Sequence, residues 1–159
     1  MTDETLGGNH RAANKPVTAF VWHTTRVWLV DDQQDFRESC ACALESAHGF
    51  TCERQFSSAE ELIAALQMTS GPDVVLLENG LPGMNGTAAV KMIKSCSPAT
   101  VVFLRSAYRS YRQVAEALAG GASGYFGKDD PLEAVVVAMR VALRGRDVPP
   151  NGGTRLNAI

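Results

Sequence analysis

The sequence predicts a right-handed α/β sandwich built on a parallel sheet, and three observations carry that prediction. Short apolar runs recur five times, and each is followed by a segment with helical spacing. The connections between them are short. Two of the runs, "RVWLVDD" and "DVVLLE", end abruptly in carboxylates, as strands buried on both faces do when their tips reach a functional rim. A chain of 159 residues that is 45% hydrophobic suffices for one compact domain. Such a domain buries about two-thirds of its unfolded surface.

Arg26 to Asp32 is the first strand. Phe36, Cys40, Ala43, Leu44 and Ala47 then recur at helical spacing and Gly49 punctuates the end, which predicts a helix over Gln33 to Ala47. Phe50 to Phe56 is a strand of weaker pattern. Ser58 with Glu61 forms a capping-box pattern ahead of Leu62, Ile63 and Leu66, so a second helix runs to about Gln67. Gly71 and Pro72 close that loop before the strand Asp73 to Glu78. Asn85 opens a third helix through Val90 and Ile93, and Thr100 to Leu104 is a fourth strand. Ser110 with Gln113 caps a fourth helix through Val114 and Leu118. Ala122 to Gly127 reads as the fifth strand. Asp130, Pro131 and Glu133 supply N-cap, first-turn proline and third-position acid for a last helix ending near Arg144 and Gly145.

A net charge of -2 and a pI near 5.9 give no basic field for nucleic acid or for an acidic membrane. No run of about 18 apolar residues and no signal segment is present, so a soluble, cytoplasmic protein is expected. Cys40, Cys42, Cys52 and Cys96 fall in apolar segments and read as reduced core residues, with Cys40 and Cys42 pointing in different directions from one helix. Residues 1–25 form an N-terminal tail, polar and partly disordered up to Pro16. The stretch "AFVWH" within it extends the first strand, packs on the surface or pairs with a partner; the sequence leaves all three open. Residues 26–146 form the domain, and 147–159 a C-terminal tail or truncated linker.

Parallel sheets of this kind place their ligand site at the carboxyl ends of the strands, beside the topological switch point. Asp31 and Asp32 end the first strand, Glu78 the third, Ser106 and Ala107 follow the fourth, and Lys128 follows the fifth after Tyr125. Acids packed this closely repel one another and need a cation, and hard oxygen donors in this number suit Mg²⁺ better than zinc. A lysine and a hydroxyl are what a bound or transferring phosphoryl group requires.

The motifs "LVDDQQDFR", "DVVLLENGLPGMNG", "VVFLRSAY" and "GYFGKDDP" stand in one order, with Tyr125 and Lys128 lying 19 and 22 residues beyond Ser106. In these features the chain from Arg26 to Arg146 resembles the receiver domain of bacterial two-component response regulators. It is most similar to the subfamily whose receiver precedes a helix-turn-helix output domain, since "KDDPLEAVVVAMRVALRGRDVPP" resembles its last helix and linker. The resemblance implies a flavodoxin-like (βα)5 fold with a five-stranded parallel sheet in the order 2-1-3-4-5, acting as a signalling domain rather than an enzyme. It implies that Asp31, Asp32, Glu78 and the backbone carbonyl of Gly80 surround a Mg²⁺ site. It also implies that Ser106 and Lys128, with Ala107 beside them, contact the phosphoryl group, and that Tyr125 is the aromatic switch that turns inward on activation. Pro82 and Gly83 shape the intervening loop.

Glu78 departs from the family pattern, standing where the family has its phosphate-accepting aspartate. The extra methylene carries the carboxylate about 1.5 Å further along the rim. In-line attack on a partner's phosphohistidine tolerates little misalignment, so transfer to Glu78 is expected to be weak or absent. The longer arm points instead toward Lys128 and Ser106, supplying one negative charge where a phosphoryl group supplies nearly two. Three readings stay open: a constitutive or phosphorylation-independent receiver, a degenerate scaffold, and a remainder that covers both a domain still phosphorylated at Glu78 or a neighbour and an engineered Asp-to-Glu chain.

Plainer roles compete for the other residues. Asp31 or Asp32 would cap the first helix, Lys128 would be a solvated loop lysine, and Tyr125 an edge-strand packing residue. A flavodoxin-like enzyme would need a Gly/Ser/Thr-rich phosphate loop where this chain has "DDQQD". The resemblance implies a histidine kinase or another signalling protein as partner, and an output face including Tyr111, Arg112, Tyr125 and parts of Val135 to Arg144. A homodimer through that face or through the first and last helices is a further expectation. DNA would be reached only through an output domain, for which "DVPPNGGTRLNAI" after Arg146 is too short.

Overall fold

The computed structural model describes residues 23–144. Five strands alternate with five helices: β1 Thr25–Val30, α1 Gln34–Ser46, β2 Phe50–Phe56, α2 Ala59–Met68, β3 Val74–Glu78, α3 Gly86–Cys96, β4 Val101–Ser106, α4 Tyr111–Ala119, β5 Gly124–Gly127 and α5 Leu132–Leu143. All four strand pairings are parallel, in the order β2-β1-β3-β4-β5. The predicted fold class and strand order are therefore those observed. The N-terminal stretch through Trp22, "AFVW" included, and the C-terminal tail lie outside the described residues.

Strand side chains alternate between two cores. Trp28, Val30, Val75, Leu77, Val102 and Leu104 face α2, α3 and α4, where Leu62, Ile63, Leu66, Val90, Ile93 and Ala117 complete one cluster. Val27, Leu29, Val74, Leu76, Val101 and Phe103 face α1 and α5, packing on Cys40, Ala41, Leu44, Val135, Val136 and Met139. Because both faces are covered, β3 is buried along its whole length. Each fully buried Val or Leu contributes about 1.5–3 kcal/mol relative to exposure, so these strands are the rigid base on which the rim sits.

The caps set where helices begin. Ser58 accepts from Glu61 N–H at 3.2 Å, although the Glu61 carboxylate reaches back to Ser57 rather than to Ser58. Asn85 accepts from Ala88 N–H at 2.9 Å, and Ser110 with Gln113 forms a reciprocal capping box. The predicted cap of α5 is corrected. Pro131 occupies the N-cap, and the Asp130 carboxylate instead accepts from Gly127 N–H at 2.7 Å and pairs with Arg109 at 3.0 Å. Asp130 closes the β5–α5 turn and leaves the helix uncapped by a side chain.

Two further expectations are corrected. Only Cys40 is buried; Cys42 and Cys96 are exposed and Cys52 is intermediate, with all four thiols free. Cys42 and Cys96 lie on outer turns of α1 and α3, so apolar neighbours in sequence did not mean a core position. On α1 the inner residue is Ala41, and Ala43 is exposed.

Candidate functional site at the carboxyl ends of the strands

The tips of β1, β3, β4 and β5 meet at one rim. Glu78 is the last residue of β3 and only 6% exposed. Its Oε1 accepts the Gly80 N–H, and its Oε2 lies 3.0 Å from Lys128 Nζ. Lys128, one residue past β5, also lies 2.7 Å from Asp31 Oδ2 and 3.4 Å from Gln33 Oε1. Its ammonium sits 4.3 Å from the centroid of the Phe36 ring. Burial alone would lower the Lys128 pKa, but hydrogen bonds and charge from Asp31 and Glu78 outweigh it and hold the pKa above the ordinary lysine value. Lys128 is thus a paired, largely buried cation and not a solvated loop lysine.

Asp31 is buried just past β1, with its Oδ1 accepting Gln33 N–H at 2.9 Å and its carbonyl accepting from Arg37. That bond turns the chain ahead of α1, whose N-cap residue Gln33 offers no side-chain cap. Neither Asp31 nor Asp32 caps the helix. Asp32 is exposed at the rim and stays outside the Lys128 cluster.

Ser106 ends β4 in a buried position, where its Oγ lies 3.5 Å from Tyr108 N. Glu78 makes no hydrogen bond to it, so the expected approach of the glutamate is realised toward Lys128 alone. Tyr125 is half-buried on β5, its ring packed against the core and its hydroxyl donating to Tyr108 O at 3.4 Å beside Ser106 and Asn79. Burial raises the Tyr125 pKa, keeping the phenol protonated. Ala107 is exposed in the loop that follows.

The donor set does not fit a divalent cation as it stands. Asp31 and Glu78 already engage Lys128, the second oxygen of each accepts a backbone N–H, and Gly80 presents its N–H to Glu78. Among the described residues no group of three or more His, Cys, Asp or Glu is arranged to hold a metal ion.

Sequence reasoning missed three residues. Asn79, buried behind Glu78, accepts from Thr87 N–H and Oγ1 at 2.9 and 2.8 Å and so ties the β3 tip to α3. Phe36 provides the ring beneath Lys128. Arg105, only 7% exposed near the end of β4, donates to Gly127 O, Lys128 O and Asp130 O at 3.4, 3.0 and 2.8 Å. A charged residue inside an otherwise apolar strand was the available signal.

Residues 27–140 match the response regulator receiver domain family, and the chain belongs to it. It is 34% identical over 125 residues to the transcriptional regulatory protein NarL of Mycobacterium tuberculosis, covering 77% of this chain and 56% of that protein. It is 31% identical over 123 residues to YxjL of Bacillus subtilis, with the same two coverages of 77% and 56%. The chain therefore spans little more than half the length of these relatives. Among solved structures, the signal receiver domain of the M. tuberculosis NarL superposes with a TM-score of 0.68 at 31% identity, covering 78% of this chain and 99% of that one. Both relatives carry the names of transcriptional regulatory proteins. Among the described residues no helix is long and apolar enough to cross a membrane.

Proposed function

We propose that this chain is a phosphorylation-independent receiver in which Glu78, at the phosphoacceptor position, serves as a fixed substitute for the charged modification. The observation that carries the reading is the Glu78–Lys128 ion pair at 3.0 Å inside the rim. Lys128 in this role engages a permanent carboxylate in place of a transferred phosphoryl group. The half-buried Tyr125, with its ring on the core and its hydroxyl on Tyr108 O, supports a bias toward the active arrangement that the family resemblance assigns to that residue.

Chemistry at Glu78 is disfavoured because both of its oxygens are engaged. Its Oε2 is held by the lysine and its Oε1 by Gly80 N–H, so neither oxygen is free to attack a phosphohistidine in line. A planar carboxylate reproduces part of the charge and none of the tetrahedral shape, so the bias is a partial one. Output then passes through protein contacts. Tyr111, at 92%, and Arg112 are exposed on α4, while Val137 and Val141 are exposed on α5. A second copy of the chain on one of these faces, or a histidine kinase or other signalling protein, is the partner proposed, and sedimentation to high concentration tests the homodimer.

The test is intact mass after incubation with Mg²⁺ and a small phosphodonor, beside the Glu78→Asp variant. The native chain stays unlabelled. A label on native Glu78 overturns the proposal and favours the second reading, a receiver of a DNA-binding regulator under kinase control. The transcription-regulator relatives support that second reading.

A further inference from the structure

Arg105 is the buried group that the reading above does not use. It interrupts the apolar run of β4, and a buried guanidinium persists only where its donors are satisfied. Here the partners are neutral: three backbone carbonyls of residues 127, 128 and 130, with Cys40 Sγ at 3.9 Å and the Phe36 ring at 5.2 Å. Its positive charge therefore meets no carboxylate directly. The acids closest in the architecture are Glu78, its register neighbour on β3, and Asp31, which lines the same small cavity.

Two features follow. The fork of Arg105 grips the turn between β5 and α5 on both sides of Lys128, so the turn cannot swing without giving up charge-assisted hydrogen bonds. The charges around the rim also balance, with Lys128, Arg105 and Arg37, which donates to the Asp31 carbonyl, set against Asp31, Glu78 and the exposed Asp32. A divalent ion entering this rim would add two charges to a neutral group and displace Lys128 from both acids.

We infer that Arg105 is a positioning residue that holds Lys128 on Asp31 and Glu78 and, as a second internal cation, makes the site independent of divalent metal. The inference rests on the proposed reading of Glu78. It extends that reading by giving the cluster its own counter-charge.

The experiment pairs amide exchange, read by mass spectrometry over residues 127–131, with the shift in thermal midpoint on adding millimolar Mg²⁺. The native chain has a slowly exchanging turn and a midpoint that Mg²⁺ leaves in place. Arg105→Lys keeps the charge and loses the planar fork, so its turn exchanges about tenfold faster or more while Mg²⁺ still has no effect. Arg105→Met loses both, so its turn loosens equally and its midpoint rises with Mg²⁺. Exchange unchanged in the lysine variant, or a native midpoint that rises with Mg²⁺, overturns the inference. The second measurement requires no variant to fold. Failure of the phosphorylation-independent reading shows separately, as phosphodonor label on the native chain.

Discussion

Replacing Lys128 by Met removes the cation that directly contacts both buried acids at the rim. At an effective dielectric near 20, a unit charge pair about 3 Å apart attracts by roughly 5 kcal/mol, and Lys128 makes one contact of 2.7 Å and one of 3.0 Å. Desolvation of the ammonium offsets much of that attraction, but the variant leaves Asp31 and Glu78 facing each other uncompensated. Removing one partner of a buried pair costs about 3–5 kcal/mol. For a domain of this size the loss corresponds to a midpoint roughly 10–20 °C lower at neutral pH. Urea denaturation followed by Trp fluorescence measures the free energy, and calorimetry the midpoint. A loss under about 1 kcal/mol at neutral pH refutes the assignment of Lys128 as the counter-ion of this cluster.

Other outcomes test other parts of the rim. The folded pKa of Lys128 is raised, so its contribution is fully present below the ordinary lysine value of 10.5 and is lost as the pH climbs through the higher folded value. The native-minus-Lys128→Met difference in stability should accordingly stay flat from neutrality to about pH 10 and fall beyond it. Glu78→Gln keeps the shape and an acceptor for Gly80 N–H while Lys128 retains Asp31, so urea titration should find a loss of only about 1–2 kcal/mol. In Gly86→Ala the new Cβ would lie 2.6 Å from the Glu78 carbonyl oxygen and 2.7 Å from Asn79 Cα. Circular-dichroism melting should show that variant destabilised by more than about 2 kcal/mol, since backbone must move. Burial, with help from Glu45, pushes the Cys52 thiol to about 11, and burial also raises Cys40. A thiol reagent at mildly alkaline pH should modify Cys42 and Cys96 first; rapid reaction at Cys40 would show that α1 does not pack as described.

The fold was legible because its signals are local. Five apolar runs and the caps Ser58, Asn85 and Ser110 place nearly every element to within two residues, and strand burial on both faces needs no partner identity to be read. The rim was legible where the family motif runs through consecutive residues, as at Asp31, Glu78 and Lys128. It was not legible where a side chain serves a turn distant in sequence. Asp130 carries every local mark of an N-cap, yet Gly127 N–H and Arg109 compete for its carboxylate and win. Arg105 reaches carbonyls more than twenty residues away, and Phe36 meets Lys128 only because the fold brings the start of α1 and the turn after β5 to the same rim. The cysteine expectation failed for a related reason: local hydropathy does not tell which side of a helix faces the sheet, as Cys40 and Cys42 demonstrate on α1.

The carboxylate held by Lys128 also bears on timing. An aspartyl phosphate is a labile mixed anhydride, and hydrolysis ends its message without any further instruction. Glu78 is joined by carbon–carbon bonds and has no such decay. Under the proposed reading this receiver carries no clock, and the duration of its output is the lifetime of the polypeptide. The quantity left for the cell to adjust is how many copies it makes and how quickly it degrades them.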